Sequence, residues 1–307
     1  MANWRRAIGA GLSLLAQTIV GAAWAREPGL GLGLIPGVPL GQANAVPLTP
    51  GLRLGSRTSY NDAIAVGKDG QEAGLRYNFV NEIVLLTWVP DWTVLNAGYK
   101  IQAVIPFGST TLVRDAPVPK AARGTFTETG IGNPKIQFAD LSWTLGDGFY
   151  ASAGFGVYFP IGQWSPDLPV NLGAPFWSFE PSGAFSYFKD GWTASLQGSY
   201  ITNTINHVTN YYSGDQVVLN ATFMKSFSGV NVGPVGYWLK QVTGDANYGT
   251  TVLSGAIARP GAQAAIGGVV STQFGNLSVN LMFTQDVYVR NALQGSKGWL
   301  GLSYHFK

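Results

Sequence analysis

Residues Gly173 to Gly214 read GAPFWSFEPSGAFSYFKDGWTASLQGSYITNTINHVTNYYSG. From Trp192 onward the even positions are Trp192, Ala194, Leu196, Gly198 and Tyr200, while the odd ones are Thr193, Ser195, Gln197 and Ser199. Side chains in a strand point to opposite faces in turn, so one face here is apolar and the other polar. Ahead of it, Trp177, Phe179, Phe185 and Tyr187 share one face, opposite Ser178, Glu180, Ser182 and Ser186. Lys189-Asp190-Gly191 forms the turn, because Asp and Gly accept the left-handed backbone it needs. Each segment runs to about fifteen residues, where a soluble strand averages five or six. Long two-faced strands call for a lipid boundary.

Composition agrees. Of 307 residues, 46% are hydrophobic and 11% charged, against roughly 25% charged in a soluble domain. The 41 glycines, with 10 Trp, 13 Tyr and 16 Phe, suit close strand packing, tight turns and interfacial aromatic belts. Cysteine is absent, which leaves no disulfide framework and no thiol chemistry. Met1 to Ala25 places Arg5 and Arg6 before the apolar run Ala7 to Val20 and ends in Ala23-Trp24-Ala25. Positive head, apolar middle and small residues before the cut describe a secretory signal peptide, cleaved after Ala25. Its two arginines leave with it, so 19 Lys and Arg fall to 17 against 16 Asp and Glu. A net charge of +1 gives no support to nucleic-acid binding. No later apolar run is long enough for a spanning helix, and the other structure that satisfies its backbone in lipid is a closed barrel.

Residues 26–50 carry five prolines and, after Glu27, no charge until Arg53. Pro and Gly at this density argue against a helix or central strand. The expectation is a periplasmic leader, loosely held as termini usually are. The sharper alternative is a partial plug that folds back into the barrel.

From residue 51 to residue 307, alternation and punctuation yield twelve strands, among them Gly51 to Tyr60, Trp92 to Phe107, Glu128 to Leu145 and Ser296 to Phe306. Glu128 to Leu145 is the least regular, because Pro134 and a phase shift near Asp140 suggest a bulge. Val89-Pro90-Asp91, Gly146-Asp147, Lys189-Asp190, Ser228-Gly229 and Gly275-Asn276 make short turns, while 108–127, 161–173 and 244–261 make long loops. Short turns at one end and long loops at the other organise an outer-membrane barrel, with the turns in the periplasm. The fold class expected is therefore all-β, a transmembrane antiparallel up-and-down β-barrel of about 12 strands. On this phase Arg76, Glu82, Lys100, Glu180, Lys240 and Asp286 face the lumen, while Leu95, Ala97, Tyr99, Ile101, Ala103 and Ile105 face lipid. A lipid-facing charge at mid-depth costs roughly 2 to 4 kcal/mol, hence the partition. The six charges are candidates for permeation; the plain alternative is a set of ion pairs bracing the interior. The last strand turns Leu300, Leu302, Tyr304 and Phe306 outward, and Lys307 replaces the aromatic terminus usual in such barrels.

Four motifs carry a family resemblance over about Tyr60 to the C-terminus. Gly130-Ile131-Gly132-Asn133-Pro134, then Val170-Asn171-Leu172-Gly173 leading to Trp177, then Asn206 with Thr209 to Gly214, then Gln241 to Asp245 resemble the outer-membrane barrel family associated with the meta-pathway of phenol degradation. That family usually has Asp where Asn133 stands, and often Asp in place of Asn210. The resemblance implies a transporter whose genes accompany degradation of phenol and related aromatics.

An enzyme on a barrel needs a base, and the histidines are His207 and His305 alone. Neither has a serine placed as in a barrel phospholipase, and no G-x-S-x-G elbow occurs. Two distant histidines without cysteine argue against zinc. Gly29-Leu30-Gly31-Leu32-Gly33 lacks the Lys-Ser/Thr of a phosphate loop. No catalytic, cofactor or metal residue is therefore assigned. The expected partners are outer-membrane lipid, the barrel-assembly machinery and a small hydrophobic or aromatic solute, collected by Phe107, Phe126, Trp164, Tyr211, Tyr212 and Tyr248 of the outer loops. A structural or adhesin-like barrel is the runner-up.

Overall fold

The computed structural model of the chain describes residues 26–27, 29–30, 35–115 and 123–306. The expected signal peptide and Lys307 lie outside the described residues. The strands are β1 (Gly51–Val66), β2 (Glu72–Val89), β3 (Thr93–Val94), β4 (Ala97–Arg114), β5 (Gly124–Ile131), β6 (Lys135–Gly146), β7 (Phe149–Tyr158) and β8 (Ser178–Lys189). They continue with β9 (Trp192–Asn203), β10 (Tyr211–Tyr212), β11 (Gln216–Phe227), β12 (Val230–Gln241), β13 (Ala246–Asn247), β14 (Ala262–Phe274), β15 (Leu277–Arg290) and β16 (Ala292–Phe306). Each wall strand pairs antiparallel with its neighbours, and β1 pairs with β16, which closes the ring. β5 and β6 both pair with β4 and form one stave in two halves. With the two-residue β3, β10 and β13 set aside, the wall has twelve staves.

The opening hairpin behaves as its alternation requires. Lys189 pairs with Trp192 across a two-residue loop in which Asp190 has φ 53° and Gly191 φ 73°, the signs a tight hairpin turn demands. Ser186, Ser195, Ser199 and Glu180 are buried, while Phe185, Leu196 and Tyr200 lie exposed on the outer wall. Leu300, Leu302, Tyr304 and Phe306 are likewise exposed outward.

Several boundaries differ from expectation. β1 continues six residues past Tyr60 and β4 seven past Phe107, so this side of the barrel rises roughly 20 Å farther along the strand at about 3.3 Å per residue. The turn placed at 89–91 is instead a small hairpin, in which β3 pairs with the start of β4 around Leu95 and Asn96, both at positive φ. Leu95 therefore sits at a turn tip, 77% exposed, rather than in the lipid band. Trp92 stacks on Tyr99 at 5.1 Å beside Trp88, an aromatic anchor at that rim. The irregular strand expected over Glu128 to Leu145 breaks at residues 132–134, where Pro134 has no N–H to give the ladder.

The described residues of 26–50 run inside the ring as a strap. Leu40 and Ala45 have no exposed surface. Leu40 packs with Met224, Val235, Tyr237, Val269, Met282 and Trp299 on the inner faces of β11 to β16. The barrel hooks the strap backbone with inward side chains. Arg57 of β1 donates to the carbonyls of Gly37 (3.3 Å), Leu40 (2.7 Å) and Val38. The Gly41 N–H donates to Thr222 Oγ1 at 2.9 Å, and those of Asn44 and Ala45 to Ser195 and Ser186 Oγ at 3.1 Å each. A chain with no strand of its own has thus had its backbone groups satisfied by the polar inner face.

Candidate functional site in the barrel lumen

The strap divides the lumen unequally. Toward β11 to β16 it is tightly packed around Leu40; chiefly against β2 to β9, and reaching Val218 and Asn220 of β11 and Leu293 of β16, it leaves a cavity of about 240 Å³. A dry cavity of about 150 Å³ already holds benzene, so a single-ring solute fits. One wall is apolar, made by Phe79, Ile83 and Leu85 of β2, Val104 of β4, and Ile35 and Val38 of the strap. Polar groups make the rest, chiefly Lys100, Asp140, Lys135, Glu180, Gln197 and Asn220, with Asn81 and Gln102 set among the apolar side chains of β2 and β4.

Charges on the polar wall are paired. Lys100 Nζ lies 3.3 Å from Asp140 Oδ2, and Lys135 Nζ 3.1 Å from Glu180 Oε2. Asp140 also accepts from Gln137 Nε2 at 2.7 Å. Glu180 accepts from Tyr158 Oη at 2.5 Å and from Ser199 Oγ at 2.9 Å. Two lysines and two carboxylates leave the strip neutral overall yet rich in hydrogen-bonding groups. A solute with one apolar face and one polar edge matches both walls; a bare ion meets no uncompensated counter-charge.

Of the six lumen candidates, Lys100 and Glu180 line this cavity. Asp286 faces inward on the packed side, accepting from Tyr237 Oη, Gln263 Nε2 and the Gly295 N–H, each at 2.8 Å. The other three face outward and are corrected. Arg76 is exposed and pairs with Asp115. Glu82 lies on the outer wall, its carboxylate taking hydrogen bonds from Ser56 and Thr58 of β1. Lys240 is exposed on the outer face of β12. For β2 the reason is that Leu75, Tyr77, Phe79 and Ile83 take the lumen side, where Val170, Leu112, Phe126 and Leu293 pack on the first three and the cavity borders Phe79 and Ile83.

The aromatic candidates also separate. Phe107 is not in a loop but lies outward on β4, paired in register with Glu82 and Ile131. Phe126 packs on the cluster around Tyr77, with Arg114 over its ring. Trp164 packs against Leu30, Ala174 and Phe176. Tyr211 is wholly buried and donates to Asp245 Oδ2 at 2.6 Å, so it collects nothing from solution. Tyr212 donates to Asp215 at 2.6 Å. Tyr248, 75% exposed, remains open to the outside.

Two further groups acquire a role only in the structure. Arg57 was signalled by its inward parity in β1 but was unreadable as a hook without the strap. Asn133, at the strand break, donates to Ala174 O at 2.8 Å and accepts from the N–H groups of Ala174 (3.1 Å) and Gly162 (3.2 Å). It thereby fixes loop 159–177, whose Val170 and Leu172 reach the cavity.

The family profile described as "Putative MetA-pathway of phenol degradation" matches residues 55–302. The chain belongs to this family. The match begins in β1 and ends in β16, so it spans the wall and leaves out the strap. Among solved structures, the COG4313 outer membrane channel from Pseudomonas putida F1 superposes with a TM-score of 0.74 at 15% identity, covering 89% of this chain and 100% of that one. The translocator domain of the autotransporter NalP from Neisseria meningitidis gives a TM-score of 0.52 at 14% identity, covering 84% and 90%. At such identities the likeness is one of fold, that of outer-membrane barrels. No curated protein matches the sequence.

Proposed function

We propose that the chain is exported, loses residues 1–25, and sits in the outer membrane as a narrow channel through which small hydrophobic or aromatic compounds enter passively. The observation that carries this reading is the half-filled lumen: the strap blocks a wide aqueous pore yet leaves a two-walled cavity sized for one ring. Membership of a family named for phenol degradation supports aromatic cargo. The neutral strip of Lys100, Asp140, Lys135 and Glu180 meets the polar edge of the solute, and the β2 and β4 wall meets its ring. In liposomes, the purified barrel should speed entry of phenol or toluene over protein-free vesicles. Equal entry with and without it would remove the transport reading and leave a structural barrel.

A further inference from the structure

Amide side chains outnumber charged ones in the cavity lining, and the wall spends their nitrogens. Asn44 Nδ2 donates to Pro39 O at 3.1 Å, and Gln137 Nε2 to Asp140 Oδ2 at 2.7 Å. Asn220 heads a chain. Its Nδ2 donates to Gln197 Oε1 at 2.7 Å, Gln197 Nε2 to Ser199 Oγ at 2.7 Å, and Ser199 Oγ to Glu180 Oε1 at 2.9 Å.

The sense of these bonds is fixed by where they end. An amide can be turned end for end only if its partner can donate as well as accept. Pro39 O and the Asp140 carboxylate only accept, so each must face an amide nitrogen. The Glu180 carboxylate, held by Lys135 and Tyr158, takes the Ser199 proton. Ser199 Oγ must then accept from Gln197, which is left turning its own oxygen to the Asn220 nitrogen. What Asn44, Gln137 and Asn220 have left is a carbonyl oxygen. That of Asn220, a residue 3% exposed on the β11 side of the cavity, is buried without a partner.

We propose that the cavity is an acceptor-lined site that selects neutral aromatic solutes carrying an O–H or N–H donor over solutes of equal size that only accept. Gln137 and Asn220 are its specificity-determining residues. The inference rests on the lumen cavity being where the solute lodges, and adds what distinguishes one ring from another. A buried acceptor without a partner gains most from an incoming donor, whereas an ether oxygen placed there sets lone pair against lone pair. The donors of the lining are already committed. Tyr158 gives its hydroxyl to Glu180. Lys100 and Lys135 lie 3.3 and 3.1 Å from Asp140 and Glu180, so an acceptor drawn to either ammonium also nears a carboxylate that repels it. Ser152 and Ser182 border the cavity too, but a hydroxyl serves either sense and does not discriminate.

The isomers p-cresol and anisole share one ring and one oxygen, and differ in that the first donates while the second only accepts. Each is titrated calorimetrically into barrels held in lipid nanodiscs, with empty nanodiscs subtracted for partition into lipid. Wild type should bind p-cresol about fivefold more tightly than anisole, equivalent to about 1 kcal/mol. Ser199→Ala cuts the chain while leaving Asn220 and both ion pairs in place, and Gln137→Met removes the second acceptor. In barrels carrying both changes, selected as folded by heat-dependent gel mobility, the ratio should fall to about twofold, with the loss on p-cresol; a general loosening of the cavity would weaken both isomers alike. A wild-type ratio of one, binding of neither isomer, or a full ratio in the double variant overturns the proposal, and the wild-type comparison decides it even if the variant fails to fold. Donor preference without protein-dependent entry into liposomes would sustain the acceptor site and remove the channel; protein-dependent entry with equal binding of the isomers would do the reverse.

Discussion

Replacing Arg57 by methionine should free the inner strap while sparing the barrel. Arg57 is 4% exposed, and its guanidinium serves three strap carbonyls, two at 2.7 and 3.3 Å. A hydrogen bond to a charged group contributes about 1.5 to 3 kcal/mol. Discounting the longest, the strap loses roughly 3 to 6 kcal/mol, and the buried carbonyls of Gly37 and Leu40 lose this donor. The barrel itself gains, because exchanging a buried cation for an apolar side chain removes a desolvation penalty and is often neutral or stabilising. Arg57→Lys should fall between, since a point donor cannot serve three acceptors as a planar fork does. The assay is limited proteolysis of the detergent-solubilised protein with mass analysis of residues 37–50, alongside gel mobility of the unheated barrel. Fast cleavage of the strap from an otherwise compact barrel is expected. A strap as protected as wild type would refute the hook, and a barrel that no longer folds would show that Arg57 serves the wall.

Other expectations follow from the same geometry. Asn133→Ala removes three hydrogen bonds at the strand break and should destabilise loop 159–177 by about 3 kcal/mol, read as faster cleavage within that loop. Lys100→Met alone strands Asp140 and should cost about 3 to 5 kcal/mol in urea unfolding, whereas Lys100→Met/Asp140→Leu should recover most of it; equal losses in both would mean the pair is not coupled. Burial raises the carboxyls of Glu27 and Asp245, against the opposing charge of Arg26 and the hydrogen bond from Tyr211. The folded chain therefore binds protons there that the unfolded chain does not, and this contribution to stability is greatest below the ordinary carboxylate value and lost as pH rises through the raised one. Mild acidification should thus raise the temperature at which the barrel loses its compact gel mobility, and the reverse trend would contradict the assignment.

The sequence by itself determined the wall. Strands with a period of two, long enough to cross a bilayer and joined by turns such as Asp190-Gly191, permit one closed solution, because lipid offers no partner to an unpaired strand edge. The parity of Ser186, Ser195, Glu180, Leu196 and Phe185 was readable because each position has lipid on one side and polar groups on the other. Tertiary structure decided the lumen. Alternation tells the two faces apart but not which one water, lipid or another segment covers. Residues 75–83 turn an apolar face inward because Val170 of loop 159–177, with Leu112, Phe126 and Leu293, packs against it, and this put Arg76 and Glu82 on the outside against expectation. Strap residues 35–50 have no period to read; their place is set by Arg57, Thr222, Ser195 and Ser186, whose polar groups meet backbone atoms distant in sequence. Width and lining of the channel arise from those long-range hydrogen bonds, which no local pattern encodes.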